Sequence, residues 1–69
     1  MGNPVDIEIT GALAFSTTEA KIKAVSPKGR DFLAHHGGGV GVTEVSVTKS
    51  ALGAWLECAA AEGVREFLS

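Results

Sequence analysis

The sequence predicts an α+β fold: a small three-stranded, mainly antiparallel sheet, with a short helix and a longer C-terminal amphipathic helix packed on one face. Three patterns carry this expectation. Residues 5–10 alternate apolar and polar side chains, residues 43–48 do the same, and residues 52–67 repeat apolar side chains at steps of three and four. A period of two marks a half-buried strand and a period near 3.6 an amphipathic helix. Strands and helices in this order pack most simply as one sheet with helices across a face.

The first element is the run Val5-Asp6-Ile7-Glu8-Ile9-Thr10, with Val5, Ile7 and Ile9 on one face and Asp6, Glu8 and Thr10 on the other. Gly11 interrupts it. Next, Ala20, Ile22 and Ala24 alternate with Lys21, Lys23 and Val25, which predicts a second strand after a turn at Ser16–Glu19. A helix from Thr17 to Val25 is the rival. Ser16 and Glu19 have capping-box spacing, and Glu-Ala-Lys-Ile-Lys-Ala suits a helix. That helix would carry only Ile22 and Val25 as larger apolar residues, so the alternation favours the strand.

Ser26-Pro27 predicts a helix start, with Ser as cap and Pro in the first helical position. The helix would run from Lys28 to His36, bury Phe32 and Leu33, and end at Gly37-Gly38-Gly39. Gly29 is expected to weaken it. Residues 40–48 predict a third strand. Val40 and Val42 fall out of phase with Val45 and Val47, so the strand proper starts near Thr43 or carries a bulge. Thr48 or Ser50 then caps the last helix. Its apolar face is Leu52, Trp55, Leu56, Ala59, Ala60, Gly63 and Phe67, with a break expected at Gly63 that leaves Val64–Leu68 as a final turn or docked tail.

The chain has 69 residues, 45% apolar, and is read as one domain over 1–69. A core of that size barely offsets chain entropy, so self-association, with a dimer favoured, is an expectation from size alone. One cysteine, Cys58, excludes an internal disulfide and points to a reducing, cytoplasmic setting. No apolar run is long enough to span a membrane. The start, Met1 to Asp6, lacks the basic and apolar stretches of a secretory signal, and Asp6 stands where a Met-Gly acylation motif wants Ser or Thr.

Six Lys and Arg against eight Asp and Glu give a net charge of −2, against the balance of a nucleic-acid binder. Four of the six cations nevertheless fall within Lys21, Lys23, Lys28 and Arg30. Lys28 and Arg30 would lie in the first turn of the short helix, where free N–H groups attract anions. The alternative is that Lys21 and Lys23 face Asp6 and Glu8 across a hairpin as ordinary cross-strand partners. That alternative is favoured, since no aromatic residue interleaves the cations.

Other motifs lead nowhere specific. Adjacent helical residues such as His35 and His36 point about 100° apart and rarely share a metal. Asp31 lies four residues before His35 and makes only a second ligand, so no metal site is expected. His36-Gly37-Gly38-Gly39 resembles the HGGG segment of lipases and esterases over four residues, without the Gly-x-Ser-x-Gly elbow that family needs. Cys58 has only His35 and His36 as candidate bases. No catalytic residues and no cofactor are expected.

Trp55 reads as a core anchor or as an interface anchor together with Leu52 and Ala59. The resulting expectation is a small cytoplasmic, non-catalytic binding protein acting by protein–protein contact. Accessory inhibitors encoded by phages and plasmids exemplify that class. Its strand edges would pair with a twin or a target. The runner-up is a nucleic-acid or phosphate-binding module built on the four cations, and the third is a purely structural subunit.

Overall fold

Alternation of Ile7 and Ile9 with Glu8 and Thr10 builds the first strand, β1 (Ile7–Thr10). The computed structural model describes residues 4–69, so the acylation reading at Met1-Gly2 lies outside the described residues. The second strand, β2 (Glu19–Ala24), buries Ala20 and Ile22 and exposes Glu19, Lys21 and Lys23. The alternation thus prevails over the capping-box spacing, because a strand buries Ala20 and Ile22 on one face and sends the charges out on the other.

The helix α1 (Pro27–Leu33) starts as its residues dictate. The Gly29 amide donates to Ser26 Oγ at 3.0 Å, and Pro27 occupies the first turn. The turn continues as a π-helical segment, Ala34–Gly38, rather than as α-helix to His36. The third strand, β3 (Glu44–Thr48), is shorter than the 40–48 run and keeps the Val45/Val47 phase. The long helix α2 (Lys49–Glu62) follows directly, with Thr48 at its N-cap position. Thr48 makes no side-chain bond to the helix backbone; its hydroxyl lies 3.1 Å from that of Ser50 instead. Gly63 ends α2 in the left-handed conformation (φ 71°), which glycine adopts without a Cβ penalty.

The largest departure from the predicted three-stranded sheet comes after Gly63. Glu66–Leu68 forms a fourth strand, β4, instead of a turn or tail. The sheet order is β3-β2-β1-β4. β1 and β3 run antiparallel to β2, whereas β4 runs parallel to β1, so the sheet is mixed. Gly63 turns the chain, Val64 buries itself, and Arg65 bonds back to Asp6 and Ile7 through its carbonyl. Phe67 therefore leaves the predicted helical face altogether. It sits on the sheet beside Glu8.

Both helices cover the same face of the sheet. Ile7, Ile9, Ala20 and Ile22 from the strands meet Phe32 and Leu33 of α1, Leu52 and Ala59 of α2, and Val64. Val45, Val47, Trp55, Leu56 and Cys58 pack around this core, half-buried. Ala60, placed by its spacing on the apolar face, is exposed.

Gly29 plays a role that helix propensity hides. A Cβ there would lie 1.9 Å from the Asp6 carbonyl oxygen, so only glycine lets α1 approach β1 this closely. A Cβ on Gly53, inside α2, would meet nothing within 4 Å beyond its own helix. Gly29→Ala should therefore cost about 3 kcal/mol by overpacking, lowering the melting temperature by more than about 10 °C. Gly53→Ala should add about 0.5–1 kcal/mol. Thermal unfolding followed by circular dichroism measures both.

Candidate functional site

The start of β4 is fixed by one carboxylate. Asp6 Oδ1 accepts from Ser26 Oγ at 2.6 Å, and Asp6 Oδ2 accepts from the Arg65 amide at 3.0 Å. The Arg65 carbonyl in turn accepts from the amides of Asp6 (2.8 Å) and Ile7 (3.1 Å), and the Asp6 carbonyl accepts from Val25 (2.9 Å). Asp6 thus joins β1, the cap of α1 and the entry to β4. The Arg65 amide bond, then the Ser26 hydroxyl, hold its carboxyl below the ordinary Asp range; burial opposes them, and the charges of Lys28 and Arg65 add to the lowering. Sequence spacing gave Asp6 no such role, because its partners lie 20 and 59 residues away.

Among the described residues, β4 is an edge strand, bonded to β1 alone. The Ile7 amide donates to the Arg65 carbonyl, and the Ser69 amide donates to the Ile9 carbonyl at 2.8 Å. In a parallel ladder these two bonds assign the backbone groups of residues 65, 67 and 69 to β1. Those of Glu66 and Leu68 point away from the sheet. Phe67 is 57% exposed and Leu68 38%. Leu13, 69% exposed, stands beside the end of the strand, where its amide donates to the Ser69 carbonyl at 3.4 Å. The fully exposed Phe15 follows in the same loop. An open backbone edge and exposed apolar side chains therefore coincide here.

The four cations do not form one patch. Lys23 lies in register between Glu8 and Glu44 on the open face of the sheet, as expected for cross-strand pairing. Lys21 does not face Asp6. Its register partners are Thr10 and Ser46, and the groove around it is lined by Ser16, Thr17, Thr18 and Glu19. Lys28 and Arg30 lie in the helical layer on the opposite side and diverge. Lys28 reaches the C-terminal end of α2, where a methyl placed on Gly63 would lie 3.4 Å from its Nζ. A cation there is favoured by the helix dipole. Arg30 borders a groove formed with Val25, Pro27 and Thr43.

Of the residues singled out for an interface, Leu52 and Ala59 are buried in the core, so neither offers a surface in the folded chain. Trp55 is half-buried and serves inside the molecule. Its ring meets Phe32 edge-on (centroids 5.7 Å, 77°), and His36 packs against Phe32 at 4.7 Å. A Cβ on Gly37 would come within 2.6 Å of the indole, so the glycine run makes room for Trp55. His36 Nε2 bonds Glu62 Oε2, tying the π-helical segment to the end of α2. Asp31 and His35, four residues apart, form no ion pair among the described residues.

His36, Ala54, Trp55 and Cys58 line a shallow depression of about 160 Å³. That is smaller than the roughly 300 Å³ at which small-molecule sites begin. Among the described residues, no three His, Cys, Asp or Glu side chains are grouped to hold a metal, and no helix is long and apolar enough to cross a membrane. Comparison with protein-family models, characterised proteins and solved structures finds no match.

The lowered Asp6 pKa sets a pH dependence. A carboxylate whose folded pKa lies below its unfolded value stabilises the fold above the unfolded pKa, and this is lost as pH falls through the folded one. The stability gap between wild type and Asp6→Asn should therefore be constant near neutral pH and narrow below about pH 4. Urea unfolding at stepped pH measures it; a gap independent of pH would contradict the role given to Asp6.

Proposed function

We propose that this chain is a small non-catalytic binding protein that acts by protein–protein contact through the β4 edge. One observation carries the reading. The outward backbone groups of Glu66 and Leu68 lie on the strand that also exposes Phe67 and Leu68. Edge strands with unpaired N–H and C=O groups recruit further strands, while neighbouring side chains supply selectivity. Aromatic side chains, Phe among them, are enriched at the centres of protein–protein interfaces.

The charge pattern on the open face supports protein rather than nucleic acid as the partner. Lys21 and Lys23 share that face with Glu8, Glu19 and Glu44, so the face is not positive. An accessory inhibitor that docks on a larger protein, of the phage- or plasmid-encoded kind, suits this chemistry. A reducing, cytoplasmic compartment suits the free thiol of Cys58.

Phe67→Lys tests the reading without touching the core. Affinity capture on the wild-type chain should retain a protein after nuclease and at moderate salt, and the variant, folded by circular dichroism, should lose it. Retention that vanishes with nuclease, or falls steeply with salt and depends on Lys28 and Arg30, would overturn the proposal in favour of nucleic-acid binding.

A further inference from the structure

We infer that the β4 edge takes a second copy of this chain, by antiparallel pairing of β4 with its twin about a two-fold axis at Phe67. This rests on reading β4 as a contact surface and names the partner.

The register follows from the ladder already described. Glu66 and Leu68 direct their amides and carbonyls outward, because residues 65, 67 and 69 are bonded to β1. In an antiparallel ladder, hydrogen-bonded and non-hydrogen-bonded pairs alternate. A two-fold axis at Phe67 sets Glu66 opposite the twin's Leu68 and Leu68 opposite the twin's Glu66, both as hydrogen-bonded pairs. Every outward donor and acceptor of β4 then finds a partner. The two Phe67 side chains meet as the central non-hydrogen-bonded pair, where side chains approach most closely.

The neighbouring registers are poorer. An axis at Glu66 sets two carboxylates directly opposite each other, which is unfavourable. An axis at Leu68 leaves Glu66 outside the pairing. Only the axis at Phe67 uses the whole strand and sets its one charged residue opposite an apolar one. An interface that matches a patch to itself in this way is the isologous kind found in two-fold dimers.

The other edge among the described residues, β3, is less suited. β3 sends Glu44, Ser46 and Thr48 to the open face, and Val45 and Val47 are half-buried. The exposed apolar side chains of the sheet are on β4. The chain is also of the size at which association commonly supplements a small core.

The test is cross-linking with sedimentation. In a Cys58→Ser background, Phe67→Cys places two thiols on Cα atoms about 4.5 Å apart across the axis, within the span of a disulfide. Mild oxidation should convert this variant to covalent dimer, while Ser46→Cys in the same background stays monomeric. Phe67→Lys should raise the dimer dissociation constant by about thirtyfold, as expected on losing a central aromatic contact. Cross-linking through residue 46 but not 67, or a Phe67→Lys variant as dimeric as wild type, would overturn the inference. So would a wild-type chain that sediments as monomer up to millimolar concentration. In that last case, loss of a captured protein on Phe67→Lys would still leave the contact reading standing.

Discussion

The Asp6 carboxylate is the point on which the architecture depends. One oxygen accepts from the hydroxyl that caps α1, and the other from the amide that begins β4. The same residue's carbonyl receives the Val25 amide and lies beneath Gly29. Three separate stretches of chain, β1, residues 25–26 and Arg65, therefore meet within hydrogen-bonding reach of one residue. Charge-assisted bonds to an ionised acceptor are stronger than neutral ones, and a thin core leaves few other means of holding a three-residue strand. Without this anchor, the backbone bonds to Arg65 and Ser69 and the burial of Val64 would have to hold Glu66–Leu68 on β1 unaided.

The far end of the helical layer is held differently. The π-helical segment after α1 brings His36 onto Phe32 and into a bond with Glu62, and Gly37 leaves room for the Trp55 ring. Aromatic edge and tilted contacts add to simple area burial. The indole is thereby committed to joining the two helices. Of the six exposed large apolar side chains among the described residues, four lie on β4 and the Leu13–Phe15 loop; the others are Val25 and Val40. The structural work of Asp6 and the proposed contact surface are therefore linked, because the first positions the second.

Local chemistry explains what was legible in the sequence. Strict alternation marks β1, and the phase of Val45 and Val47 marks β3. Ser26-Pro27 marks the start of α1, and Gly63 the end of α2. In each case the decisive residues lie within a few positions of one another. β4 was hidden because three residues show no periodicity, and Phe67 falls by chance in helical phase with Gly63. Gly29 looked like a weak helix residue because its reason lies in the carbonyl of a distant strand. The cations looked clustered because they are close in sequence, yet alternation in β2 and the turn into α1 send them to opposite sides of the sheet. A helical face does not reveal whether the sheet or a partner covers it, which is why Leu52 and Ala59 stand out by spacing as surface candidates although the sheet covers them.

Amide hydrogen exchange across β4, followed by NMR at dilute and concentrated protein, tests the account most directly. The amides of Phe67 and Ser69, bonded to β1, should be protected at both concentrations. Those of Glu66 and Leu68, which point outward, should exchange freely in dilute solution and become protected as concentration rises. An unprotected Phe67 amide would contradict the strand itself. Glu66 and Leu68 amides whose exchange is indifferent to concentration would contradict the pairing of two copies at this edge.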